Sequence, residues 1–133
     1  MNKTLMLLAA CAAMVVAAGC SSVRTAGPKD LSGMKLTTGP GQDIAHVNVK
    51  NSGFYMLSVP LFSGSIDKPG STLFNEDTVK LRHVTRLLTA RCKEIGATRA
   101  VDMTSEVSST MIPLPLPFLF YWDSIEISAN AVR

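Results

Sequence analysis

Ile44-Ala45-His46-Val47-Asn48-Val49-Lys50 is the stretch on which the fold turns. Ala45, Val47 and Val49 alternate with His46, Asn48 and Lys50. A period of two puts the apolar set on one face of a strand and the polar set on the other. The strand is therefore half buried. Downstream, Asn51-Ser52-Gly53 reads as a turn, with glycine available for a positive φ. Phe54 to Phe62 reads as a second, nearly continuous apolar strand, and Pro60 places it at an edge or a bend. Residues 63–71, with Gly64 and Asp67-Lys68-Pro69-Gly70, read as a loop.

Asn75 to Ile95 carries the helical pattern. Asn75 suits an N-cap, and Glu76 and Asp77 supply negative charge where the helix dipole favours it. Arg91 and Lys93 lie at the other end, and Gly96 supplies a stop. At about 100° per residue, Leu81, Val84, Leu88, Cys92 and Ile95 fall in one stripe, while Arg82, Arg86 and Lys93 cluster opposite. Ala100 to Val107 reads as a third strand. Met111 to Pro117 holds three prolines that remove three backbone donors, so it is expected as an extended connection. Phe118 to Ala129 forms the last strand, with Tyr121, Asp123, Ile125, Ile127 and Ala129 opposing Trp122, Ser124, Glu126 and Ser128. The expected fold is α+β: a mostly antiparallel four-stranded sheet in β-β-α-β-β order, with one helix packed on one face.

The N-terminus has a different character. One cation, Lys3, precedes an apolar run from Leu5 to Ala18, which ends in Ala17-Ala18-Gly19-Cys20-Ser21-Ser22. The run is shorter than the roughly 20 residues a transmembrane helix needs. Its order resembles a bacterial lipoprotein signal, with Ala17 where that pattern prefers leucine. The resemblance implies removal of residues 1–19 and lipidation of Cys20, with the mature chain carrying two or three acyl chains. One chain alone anchors only marginally. Ser21 in place of aspartate points to the outer membrane, facing the periplasm. Residues 20–41 read as the lipidated N-terminus and a flexible tether, and residues 42–133 as a single small domain.

Further stretches resemble small uncharacterised bacterial lipoproteins. They are Asp43-Ile44-Ala45-His46, the run from Gly53 to Gly64, Ile95-Gly96-Ala97-Thr98, and the run from Ile125 to Val132. The helix–Gly-Ala–strand passage also looks like small βαββ domains that assemble through their sheets. Neither resemblance brings a catalytic activity with it.

Composition and side-chain chemistry narrow the function. Beyond residue 19 the chain carries 12 Lys and Arg against 10 Asp and Glu, which gives no case for nucleic acid. Cys11 leaves with the signal and Cys20 takes the lipid, so Cys92 is unpaired. Its place in the helix stripe reads as a small buried hydrophobe. His46 reads as a surface residue of its strand. His83 and Cys92 face opposite sides of the helix, and zinc needs three or four converging ligands. Asp123 and Glu126 point to opposite faces of a strand. No metal, cofactor or catalytic constellation is expected.

Ile112 to Trp122 is the strongest interaction candidate. Pro113, Pro115 and Pro117 reduce the entropy lost on docking, and Phe118, Tyr121 and Trp122 are anchor-type side chains. The sequence thus points to a membrane-anchored envelope lipoprotein that acts as a non-catalytic binding or assembly module. Its expected partners are the membrane, through the lipid, and an envelope protein or a second copy. The alternative is a small-ligand or envelope-stress sensor with a pocket between helix and sheet.

Overall fold

The alternation around His46 belongs to a strand twice as long as its sequence period marks. The computed structural model describes residues 21–36, 39–113 and 118–133. Its elements are β1 (Ser22–Ala26), β2 (Asp43–Met56), β3 (Val59–Gly64), β4 (Thr72–Phe74), α1 (Leu81–Glu94), β5 (Arg99–Ile112) and β6 (Phe120–Val132). The six strands form one sheet in the order β4-β3-β2-β6-β5. β1 lies beside the first half of β2 and β3 beside its second half, and every pairing is antiparallel.

This corrects the expected four-stranded β-β-α-β-β arrangement, because four strands precede the helix. One helix on an antiparallel sheet is still of the α+β kind, but the chain reaches it differently. Asn51-Ser52-Gly53 is mid-strand, paired with Ser124 and its neighbours on β6. The reversal comes at Leu57-Ser58, where Leu57 takes φ 57°. Gly53 is needed for close approach and not for a turn. A Cβ there would lie 2.9 Å from Val79 Cγ2 and 3.1 Å from the Phe62 carbonyl.

β1 falls inside the 20–41 segment read as a tether. Its five residues run from Ser22 opposite Lys50 to Ala26 opposite His46. Ser21 is buried, donates its hydroxyl to the Ser65 carbonyl and accepts the Gly70 N–H at 2.8 Å. Pro60 lies beyond the last β4 pair, Phe62 with Phe74, so its missing N–H costs no ladder bond on that side.

The core lies between α1 and the middle strands. Val47 and Val49 of β2 and Ile125, Ile127, Ala129 and Ala131 of β6 face Val84, Leu87, Leu88 and Cys92 of the helix. The helix begins at Leu81, with Lys80 as an N-cap that makes no side-chain hydrogen bond. Asn75 instead takes φ 56°, and residues 75–80 cross the sheet as a connection. The stop at Gly96 is as expected. Ala97 N–H bonds the Cys92 carbonyl and Gly96 N–H the Lys93 carbonyl, with Gly96 at φ 82°. That pair of bonds is a Schellman ending, for which glycine is the favoured residue.

Helix and sheet differ greatly in size. A 14-residue helix is about 21 Å long and about 10 Å wide. Strands as long as β2, β5 and β6 extend about 45 Å. One helix cannot cover such a sheet. β5 shows the shortfall, since every residue from Asp102 to Met111 is exposed.

Candidate functional site

Paired residues of an antiparallel ladder share a face, so the register sorts the sheet surface away from α1 into two zones. One is polar. His46 Nδ1 lies 2.7 Å from Asn130 Oδ1, Asn48 Nδ2 donates to Glu126 Oε1 at 2.8 Å, and Lys50 pairs with Glu126 at 3.6 Å. The other is aromatic. Phe54 stacks on Phe62 at 5.2 Å and on Phe120 at 5.3 Å, while Trp122 meets Phe62 edge-on at 6.4 Å. Offset stacks and edge contacts are the favoured ring geometries, so these rings fill one another's surfaces and form a firm floor.

Beyond that floor, one end of the sheet is apolar and open. The β2–β3 reversal and the approach to β6 meet there, joined by Leu57 N–H to the Leu119 carbonyl at 2.7 Å. Leu57 is 61% exposed and Phe118 65% exposed, with Val59, Met56 and Met111 also open to solvent. Phe118 takes φ 67°, a conformation that costs a bulky residue energy and persists only where its surroundings hold it.

The sequence candidates divide accordingly. Phe118 and Pro113 are exposed at this end, whereas Tyr121 and Trp122 are half-buried within β6. Trp122 belongs to the aromatic floor. Tyr121 pairs with Tyr55 on the helix side. Pro115, Pro117 and Cys20 lie outside the described residues. Leu57 and Val59 escape the sequence reading because their apolar run is assigned wholly to a strand. Their only signal is that the run is longer than one buried face requires.

A buried polar network fixes the connection into α1. Asn51 Nδ2 donates to the Thr78 carbonyl at 2.9 Å and to Thr78 Oγ1 at 3.1 Å. Thr78 Oγ1 in turn lies 2.6 Å from the Gly64 carbonyl and 2.7 Å from Ser63 Oγ. Ser63 Oγ donates to the Glu76 carbonyl at 2.6 Å. At the network's rim Tyr55 OH donates to Asp77 Oδ1 at 2.7 Å, and Lys80 pairs with Asp77 at 3.0 Å.

Burial, followed by the hydrogen bond and charge of Asp77, pushes the Tyr55 phenol far above its usual range. For Asp77 burial works upward, but the Tyr55 bond and Lys80 outweigh it and hold the carboxyl below the usual range. A carboxyl depressed by folding adds stability that is complete above its ordinary range and is lost as pH falls through its folded value. Tyr55→Phe is therefore expected to cost about 1 kcal/mol at neutral pH. It should also flatten the acid limb of stability, as followed by urea unfolding at a series of pH values.

Cys92 is buried and free, and burial pushes its thiol upward. Thiols react as thiolates, so Cys92 in the native protein is expected to resist a thiol reagent and to label only as fast as the domain unfolds. Burial, then Arg82, Arg86 and Lys80, keep His83 below the usual histidine range. Among the described residues no three His, Cys, Asp or Glu gather to hold a metal. A shallow groove of about 720 Å³ runs between α1, β1 and the 65–71 loop, with Val23, Ile66, Pro69 and Leu87 along it and Asp67 and Arg91 beside them. Comparison with family models, curated proteins and solved structures finds no match to this chain.

Proposed function

We propose that this chain is an envelope lipoprotein, held through lipid on Cys20 to the outer membrane on its periplasmic side, whose domain is a non-catalytic binding or assembly module. The observation that carries the reading is the open apolar end of the sheet, where Leu57 and Phe118 project from two linked reversals. Exposed apolar clusters of this kind mark interaction surfaces. Ser21, the residue after Cys20, is itself fixed beside Ser65 and Gly70. A lipid on Cys20 then holds the sheet against the membrane, with no slack segment between them.

The test is mild-detergent co-purification from the envelope after crosslinking. Wild type is expected in the membrane fraction with a bound protein, and Cys20→Ser in the soluble fraction. Leu57→Ser combined with Phe118→Ser should keep the fold, judged by circular dichroism, and lose the bound protein. Retention of the same protein by that variant defeats the reading. The second reading, a ligand sensor, is favoured only by the groove between α1 and the 65–71 loop. A ligand that raises the unfolding temperature of wild type, but not of Ala90→Arg on the exposed helical wall of the groove, supports it.

A further inference from the structure

We infer that β5 pairs antiparallel with β5 of a second copy, joining the two sheets edge to edge about a two-fold axis at Ser108. The inference rests on the reading of the domain as an assembly module and names the partner of one surface.

The other strand edges of this sheet are protected. Natural proteins blunt exposed edges with short strands, proline, lysine or bulges, because an open row of N–H and C=O groups templates pairing with another chain. β4, at the far edge of the sheet, has three residues, and β1 has five. β3 carries Pro60 where β4 does not reach. β5 is different. It has 14 residues, and among the described residues its partner strand is β6 alone. Its start is irregular, with a register shift between Val101 and Thr104 and Asp102 at φ 52°. From Thr104 to Ile112 the ladder with β6 is continuous. That stretch, Thr-Ser-Glu-Val-Ser-Ser-Thr-Met-Ile, has no proline and no lysine.

Its composition favours itself as the partner. A partner must offer a straight strand of matching length, and a second copy supplies one. Centring the axis on Ser108, the middle of the stretch, sets Val107 opposite Ser109, Ser105 opposite Met111 and Thr104 opposite Ile112. Glu106, its one charged residue, then faces Thr110 and not its own copy, so the like-charge penalty across a ladder is avoided. Ser105, Val107 and Met111 pair with Ile127, Ile125 and Tyr121 of β6, which places them on the α1 side. Val107, 70% exposed in the single chain, gains a strand neighbour there. The joined sheet has both helices on one side, and lipid anchoring of each copy confines them to one plane.

Residues directly opposite in an antiparallel pair have Cα atoms about 4.5–5.5 Å apart, inside the disulfide range of about 4.4–6.8 Å. The full chain carrying Ser108→Cys, purified in mild detergent and gently oxidised, is expected to form a covalent dimer. Thr89→Cys, on the exposed side of α1, serves as the control and should not. Ser108→Lys sets two cations face to face at the axis. It should weaken the wild-type dimer, measured by sedimentation, about fivefold or more with an unchanged circular dichroism spectrum. A monomeric wild type, or a Ser108→Cys yield no greater than that of Thr89→Cys, overturns the inference. A monomer that still holds an envelope protein through Leu57 and Phe118 overturns this pairing and leaves the binding module standing.

Discussion

Leu88→Ala is expected to destabilise the domain by about 3 kcal/mol, within the ~2–5 range for truncating a buried leucine. Leu88 is 1% exposed and lies in the one cluster that joins α1 to β2 and β6. Removing its side chain loses transfer free energy and leaves a cavity within the packed cluster. α1 is also the only helix among the described residues, so no other element can shift inward to compensate. The urea midpoint should fall with little change in slope. Leu81→Ala, at a half-exposed position of the same helix, should cost under about 1 kcal/mol. Equal losses at the two sites would mean that α1 does not pack as described.

Thr78→Val is expected to cost about 2–3 kcal/mol although it barely changes volume. The substitution removes a hydroxyl that lies within hydrogen-bond reach of Asn51 Nδ2, Ser63 Oγ and the Gly64 carbonyl, all in the sheet interior. Leaving a buried polar group unpaired costs about 1–3 kcal/mol, more than the net gain from making such a bond. Asn51 Oδ1 has no partner among the described residues, so the site has little slack to absorb a second loss. Thr78→Ser, which keeps the hydroxyl, should recover most of the stability. If Val costs no more than Ser, the hydroxyl network is not what holds this site.

Legibility in the sequence tracks which forces are local. The period-two stretch around Val47, the helical stripe through Val84, Leu88 and Cys92, and the glycine stop at Gly96 are each written in neighbouring residues. The errors lie where distant residues override local preference. Asn51-Ser52-Gly53 carries turn residues, yet Asn51 is held by Thr78 and Gly53 by the approach of Val79. Leu57-Ser58 lacks the Asn-Gly type of signal that marks a two-residue reversal, so the true hairpin has no local mark. Asn75 suits a cap, but Asp77 and Thr78 are drawn into the sheet network and the helix starts at Leu81. β1 is hidden because Ser22–Ala26 gains its order from β2 and not from its own propensity. The weak alternation of β5 is itself informative, since a strand exposed on both faces has no reason to alternate. Of the interaction candidates, Phe118 is exposed at the open end of the sheet, while Trp122 and Tyr121 are half-buried within β6.

The two uncovered surfaces, the apolar end and the β5 edge, carry the functional reading together. Hydrogen exchange compares them most directly, with the full chain in isolated envelope against the same chain diluted in mild detergent. The Ser58 amide and, among residues 104–112, those that point away from β6 are expected to exchange slowly in the envelope and quickly once dilution separates the copies, while the amides bonded to β6 and those of α1 stay unchanged. Equal exchange in the two states at both segments would contradict the reading, because surfaces built for assembly would then stand open where the protein works.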